Sequence, residues 1–208
     1  MQMKRKGIIV VVSGFAGTGK GTLMRGLMAR YDNYALSVSM TTRAPRKGEE
    51  NGKDYFFVTD EEFEALIASD GLLEHAGYCG HYYGTPRSFV EEKLAAGIDV
   101  ILEIEVQGAL QIREKYPDTV LLFVMPPSIE ELRRRLTRRG TESEEVIEAR
   151  MRQAREEARL IDRYDCVIIN DDLETCVKQL RDVIEAAHMA PVRNMEFIQD
   201  IREQLDRE

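Results

Sequence analysis

Several apolar runs in this chain are continuous instead of alternating. Ile8-Ile9-Val10-Val11-Val12 is the clearest, and an unbroken run of that length reads as a strand buried on both faces. Three more stretches predict core strands: Asp99–Glu105, Thr119–Val124 and Cys166–Ile169. Between them the period changes to that of a helix. From Thr22 onward Leu23, Leu27, Met28 and Tyr31 recur on one helical face, and helices are predicted at Gly108–Tyr116 and from Leu173 to about Met189. Strands that alternate with helices predict an α/β fold, with a mostly parallel central sheet covered on both faces.

The pattern is broken in two places. A short extended segment, Ala35–Ser39, leads into Met40–Glu49, which Pro45 and Gly48 mark as a loop. Asp54–Val58 follows as a strand, and Thr59-Asp60-Glu61-Glu62 forms a capping box before a helix that runs to Ser69. Leu72–Tyr78 and His81–Gly84 read as two further strands interrupted at Gly80. Thr85 is then expected to cap the next helix, with Pro86 at its first position and Gly97 just past its end. Residues 40–85 thus form a small β-rich insertion. The second break comes after Pro126-Pro127, where Ser128-Ile129-Glu130-Glu131 opens a helix with another capping box. Gly140 stops that helix, Thr141 or Ser143 caps its successor, and the successor continues to about Ile161. Beyond Pro191, Met195, Ile198, Ile201 and Leu205 keep near-helical spacing, which suits packing on the core or on a second subunit.

The junction after the first strand carries chemistry. Gly14, four residues, Gly19 and Lys20 have the spacing of a phosphate-binding loop. Glycines let successive N–H groups aim inward, the helix that follows adds its positive end, and Lys20 reaches the β- and γ-phosphates. Gly14, Phe15, Ala16, Gly17, Thr18, Gly19, Lys20, Gly21 and Thr22 are therefore the candidate nucleoside-triphosphate site. The position after the lysine, where Ser or Thr ordinarily ligates Mg²⁺, is Gly21. The metal is accordingly expected to be held mainly by phosphate oxygens and waters.

Composition narrows the choices. The chain has 208 residues, 43% hydrophobic and 32% charged, which fits one α/β domain with insertions. A net charge of −8 argues against a nucleic-acid polymer as partner. Cys79, Cys166 and Cys176 are odd in number and share no metal-type spacing, so they read as thiols in a reducing compartment. The basic start is followed by an apolar run too short for a signal peptide or a membrane span, which makes a cytoplasmic location the expectation. Nine arginines crowd residues 133–159 among glutamates, and most read as a solvated face held by pairs such as Glu130–Arg134 and Glu131–Arg135. Arg139, beside the Gly140 hinge, and Arg150, on the facing helix, are placed to swing over a triphosphate. Glu74 and Glu105 could accept hydrogen bonds from both donors on guanine's Watson–Crick edge, while Ser39 or Thr85 donates to O6. Arg43, Arg46 and Lys47, with Tyr55 and Tyr83, suit a second phosphate.

These blocks occur in a telling order. The loop Gly14–Thr22, the run Ser37–Glu49, Asn51–Tyr55, Tyr82-Tyr83-Gly84-Thr85, Glu103–Gly108, Arg139-Gly140-Thr141 and Asn170–Leu173 resemble the guanylate kinase family over residues 7–188. The resemblance implies a three-layer P-loop core with a GMP-binding insertion and a helical lid. Its parts would be core 1–39, GMP-binding domain 40–85, core 86–126, lid 127–160, core 161–190 and C-terminal tail 191–208. It implies phosphoryl transfer from ATP, with Mg²⁺, to GMP, with dGMP as a further candidate acceptor. It assigns Arg43, Arg46, Tyr55 and Tyr83 to the GMP phosphate, and Glu74, Glu105, Ser39 and Thr85 to the guanine. Lys20, Arg139 and Arg150 would stabilise the transferring group, joined by Arg43, and Asn170 would lie near the ATP adenosine. Three positions depart from the family pattern: Phe15-Ala16 for the commoner Pro-Ser, Gly21 for Ser, and Glu105 where aspartate is expected. Two other readings remain open: a non-catalytic interaction module of the same fold, and a P-loop kinase for another phosphorylated acceptor. Intact Gly14, Gly19, Lys20 and Arg139 weigh against the first; Glu74 with the Ser39 and Thr85 hydroxyls weighs against the second.

Overall fold

The computed structural model describes residues 6–46, 48–78, 80–138 and 143–208. Five strands build the central sheet: β1 (Ile9–Gly14), β2 (Tyr34–Leu36), β7 (Asp99–Glu103), β8 (Val120–Met125) and β9 (Cys166–Ile169). Their order is β2-β7-β1-β8-β9, and every pairing is parallel. The strand that opens the chain is therefore central, which is why its run is apolar throughout. Val10, Val11 and Val12 are fully buried, each contributing about 2 kcal/mol of burial free energy.

Both faces are covered. On one, Val10 and Val12 pack with Leu23 and Leu27 of α1 (Lys20–Met28) and with Leu180 and Ile184 of α7 (Leu173–His188). On the other, Ile9 and Val11 meet Val90 of α3 (Arg87–Ala95) and Ala109 and Ile112 of α4 (Val106–Lys115). A third cluster lies beyond the strand ends. There Phe15, Val106 and Phe123 pack with Leu132 and Leu136 of α5 (Ile129–Arg138) and Ile147 and Ala154 of α6 (Glu144–Ala158). Asp99, 1% exposed, ties the chain's two ends together: its Oδ1 accepts from the Ile8 N–H at 3.0 Å and lies 2.8 Å from His188 Nε2.

The insertion forms its own sheet, ordered β4-β3-β6-β5, from β3 (Met40–Thr41), β4 (Phe56–Phe57), β5 (Leu72–Tyr78) and β6 (His81–Pro86). The sheet is joined by α2 (Asp60–Ala68), whose capping box is complete: Thr59 Oγ1 accepts from the Glu62 N–H and the Glu62 carboxylate accepts from the Thr59 N–H.

Three local expectations are corrected. Thr85 does not cap α3; its hydroxyl goes to Glu74, and Pro86 takes the cap position without a side-chain bond. The Ser128 hydroxyl does accept from the Glu131 N–H, but the Glu131 carboxylate pairs with Arg134 and Arg135. Arg134 therefore takes Glu131, and not Glu130, as its partner. The expected caps and hinge at Gly140 and Thr141 lie outside the described residues. Ser143 occupies the α6 cap position with no side-chain cap bond. The tail forms a 3-10 turn at Pro191–Arg193 and α8 (Met195–Leu205), on which Met195, Phe197, Ile201 and Leu205 are exposed. Cys166 and Cys176 are free thiols, and Cys79 lies outside the described residues.

Candidate nucleotide site

The loop between β1 and α1 has the backbone its glycines require. Gly17 and Gly19 have φ of 87° and 89°, a region that favours glycine, and Gly19 caps α1 with no side-chain bond. The first N–H groups of α1 therefore face outward with the helix's positive end. Lys20 Nζ donates to the Gly14 carbonyl at 2.6 Å and approaches that of Phe15 at 3.4 Å, lying across the loop mouth. Thr18 is buried and closes the loop on itself, its hydroxyl donating to the Phe15 carbonyl. Phe15 packs edge-on to Phe123 at 5.1 Å, which fixes the near wall. Ala16 is half-buried, and Gly21 leaves its side of the loop open: a Cβ there would meet nothing closer than Arg25 Nη1 at 3.6 Å. The Thr22 hydroxyl accepts from Arg25.

Two further residues converge on the same loop. Asn170 follows β9 and donates from Nδ2 to the Thr18 carbonyl at 2.6 Å. Arg135, on α5, donates from Nη1 to Thr18 O at 3.3 Å and from Nη2 to Asn170 O at 2.9 Å, while its Nε pairs with Glu131. In sequence Arg135 looked like one more solvated arginine, because its partners lie 117 and 35 residues away.

The residues expected to take a second anion sit on the insertion. The Arg43 guanidinium is mostly buried and donates twice from Nη2 to the Glu49 carboxylate at 3.0 Å. It lies 5.3 Å from the centre of the Tyr55 ring, and burial, Glu49 and the Tyr83 hydroxyl together set its electrostatics. The two tyrosine rings meet edge-on at 6.0 Å. Arg46 is exposed, and its N–H donates to Glu49. That N–H and, less strongly, Arg43 hold the Glu49 carboxyl below its ordinary range against the opposing effect of burial. Glu49 thus organises the arginine loop. Its spacing, six residues from Arg43 and three from Arg46, was the available signal.

The base-facing candidates divide into two settings. Glu74 on β5 is 4% exposed and accepts the Thr85 hydroxyl at 2.7 Å. Burial pushes its carboxyl up to about 7, with Thr85 and Lys115 opposing. Gly108 of α4 makes room for it, since a Cβ there would lie 2.6 Å from Glu74 Oε2. The register is fixed by Gln111, whose amide bonds the His75 backbone in both directions. Glu105, the cap residue of α4, is exposed and stands instead among Glu103, Glu157 and Tyr164. Ser39 is half-buried at the start of β3, its carbonyl accepting from Phe56. Arg150 is half-buried on α6, and Arg139 lies outside the described residues. Among the described residues no group of three His, Cys, Asp or Glu side chains is arranged to hold a metal.

A family model described as guanylate kinase matches residues 6–187 of the chain. A guanylate kinase of Caldanaerobacter subterraneus subsp. tengcongensis is 46% identical over 204 residues, covering 98% of this chain and 99% of that relative. One from Streptococcus thermophilus is 51% identical over 187 residues, covering 89% and 90%. Among solved structures, the guanylate kinase of Anaplasma phagocytophilum superposes with a TM-score of 0.75 at 37% identity, covering 91% of this chain and 90% of that one.

Proposed function

The chain belongs to the guanylate kinase family, and from that membership we propose how its residues divide the work of an ATP:GMP phosphotransferase. It transfers the γ-phosphoryl group of ATP to GMP, giving ADP and GDP. The phosphate loop Gly14–Thr22 cradles the triphosphate, and Lys20 leaves the Gly14 carbonyl to reach the β- and γ-oxygens. Asn170, with Arg135 beside it, borders the adenosine. Arg43, Arg46, Tyr55 and Tyr83 take the acceptor phosphate. Glu74 and Glu105 take the guanine donors, with Ser39 or Thr85 on O6. Arg139 and Arg150 supply charge to the transferring group from the lid.

The open side at Gly21 has room for Mg²⁺ carried in by the triphosphate, held by phosphate oxygens and waters. When bound, the ion neutralises phosphate charge. The remaining catalysis is positioning and electrostatics in a site that excludes water. Cytoplasmic placement is part of the proposal: Cys166 and Cys176 are free thiols, the state a reducing compartment would maintain. Among the described residues no helix is long and apolar enough to cross a membrane.

The observation that carries the acceptor's identity is Glu74, a buried carboxyl whose own partner is a single hydroxyl. Guanine offers two donors to such a group, whereas adenine offers an acceptor at N1. ADP formation, followed with GMP, AMP, CMP and UMP offered separately, should be fast with GMP alone. Turnover with another monophosphate would overturn the guanine assignment. ATP binding without any turnover would favour the interaction-module reading. Closure of residues 40–85 and 127–160 over the core is the expected means of excluding water. Small-angle scattering should then show a smaller radius of gyration with both nucleotides bound, and superimposable profiles would rule closure out.

A further inference from the structure

The helix that begins at Glu105 reaches the insertion along its flank as well. Gly108, Gln111 and Lys115 of α4 are spaced i, i+3 and i+7, so they share one helical face. That face meets β5. The insertion's sheet ends at β5, which pairs with β6 alone among the described residues. An edge strand presents N–H and carbonyl groups that no strand takes up. Here side chains of α4 take them up. The Gln111 amide accepts from the His75 N–H at 3.3 Å and donates from Nε2 to the His75 carbonyl at 3.0 Å, while Lys115 Nζ donates to the Leu73 carbonyl at 2.9 Å.

Leu73 and His75 are the two neighbours of Glu74. The three bonds therefore grip the backbone immediately before and after the buried carboxyl. Gly108, on the same face, leaves the space that the carboxyl fills, since a Cβ there would stand 2.6 Å from Glu74 Oε2. The other oxygen accepts from Thr85 at 2.7 Å. Packing seats the strand too: Leu73 is fully buried in the cluster that holds Ala109 and Ile112 of α4. Glu105 precedes Gly108 by less than one helical turn. One rigid element thus carries one candidate base carboxylate at its cap and fixes the place of the other. These contacts cross the boundary drawn between the insertion, 40–85, and the core that follows it.

We propose that Gln111 and Lys115 are positioning residues for the acceptor base: from one face of α4 they hold the backbone on both sides of Glu74, so that its carboxyl keeps its place over Gly108. This rests on the reading that Glu74 meets guanine. Both side chains act through Glu74 and not on the base itself. A slack strand would let Glu74 ride off Gly108 and weaken the hold on GMP. The phosphoryl-transfer step, assigned to Lys20 and Arg43, would be left intact. Lys115 also places a positive charge that opposes the upward push of burial on the Glu74 carboxyl. Its replacement therefore has two effects, and Gln111 is the cleaner site to change.

The test is steady-state kinetics with GMP and with AMP, together with a melting curve, for the wild type, Q111L, K115M, K115R and E74Q. Leucine keeps much of the bulk of Gln111 and removes both bonds. Q111L should raise KM for GMP about tenfold, with kcat within about twofold of wild type and KM for ATP unchanged. The preference for GMP over AMP should fall by the same factor, because adenine presents an acceptor at N1 and draws little from Glu74. K115M should raise KM for GMP by about fivefold or more, whereas K115R keeps a donor and the charge and should restore it to within about twofold. KM does not depend on the folded fraction of a preparation, so a destabilised variant still answers the question. Side chains that merely cover an edge strand would lower the melting temperature and leave KM for GMP unchanged in both Q111L and K115M, and that result overturns the proposal. So does a Q111L loss that falls on kcat, or equally on GMP and AMP. If E74Q keeps the wild-type preference for GMP, the reading of Glu74 fails and takes this proposal with it. If E74Q loses that preference while Q111L and K115M keep it, the proposal alone fails.

Discussion

Replacing Lys20 with methionine should lower kcat for phosphoryl transfer by about a thousandfold, or ~4 kcal/mol of transition-state stabilisation. The ammonium is tethered to the phosphate loop's own backbone by hydrogen bonds at the Gly14 and Phe15 carbonyls. Those bonds hold it over the place where the proposed β- and γ-phosphates would lie. Charge that grows on the transferring group meets it only in the transition state, so kcat and kcat/KM for ATP should fall together. Arginine should not rescue the loss. A guanidinium is planar and wider than an ammonium, and the narrow space between two loop carbonyls is shaped for a point charge. Stability should change little, because Lys20 is only part-buried and the loop is held mainly by Thr18, Asn170 and Arg135. Steady-state kinetics with a melting curve decides the matter: a methionine variant that keeps a tenth of wild-type kcat would remove Lys20 from the catalytic set.

What could be read from the sequence alone follows from the range of the interactions involved. The phosphate loop was legible because glycine spacing, the preceding buried strand and the following helix are contiguous, and the structure gives Gly17 and Gly19 the positive φ that such a loop needs. The Thr59 capping box was legible for the same reason, since donor and acceptor are three residues apart. Thr85 was misread. As a hydroxyl before proline it has every local mark of a helix cap, yet a carboxylate across the β5–β6 hairpin claims its proton. Arg135 was hidden in a helix pair whose composition reads as surface. What distinguishes it is two backbone carbonyls distant in sequence. That signal does not exist until the chain is folded. A mostly parallel central sheet was implied by the apolar runs and their alternation with helices, but its strand order and the antiparallel pairing of β3 with β6 were not, because they rest on pairings between distant segments, and β3 is only two residues long.

Glu74→Gln should cost the largest share of acceptor specificity. The carboxylate has two oxygens: one accepts from Thr85, and on the proposed assignment the other meets the base. A glutamine keeps one acceptor, which Thr85 occupies, and turns an amide donor toward guanine's own donors. Placing donor against donor in a buried pocket leaves both unpaired, and kcat/KM for GMP should fall by about a thousandfold. AMP, whose N1 is an acceptor, should gain or hold, so the preference for GMP over AMP should collapse; a variant that still prefers GMP by the wild-type margin would show that another group reads the base. Thr85 also has only one proton, so while it donates to Glu74 it cannot donate to O6, and Ser39 is the hydroxyl left for that bond. The wild type adds a check that needs no mutation. Burial pushes the Glu74 carboxyl up to about 7 in the free protein, whereas a guanine read through its two donors requires the ionised form. The free fold is therefore favoured below the ordinary carboxyl range, near 4.5, and loses that advantage, about 3 kcal/mol, as pH rises through about 7. Binding has the opposite sign: below about 7 the proton must leave before guanine can enter. Guanosine carries no phosphate to titrate, and its affinity measured by calorimetry should fall roughly tenfold for each pH unit below about 7. An affinity flat from pH 5.5 to 7 would mean that Glu74 is already ionised in the free protein, or that it does not touch the base.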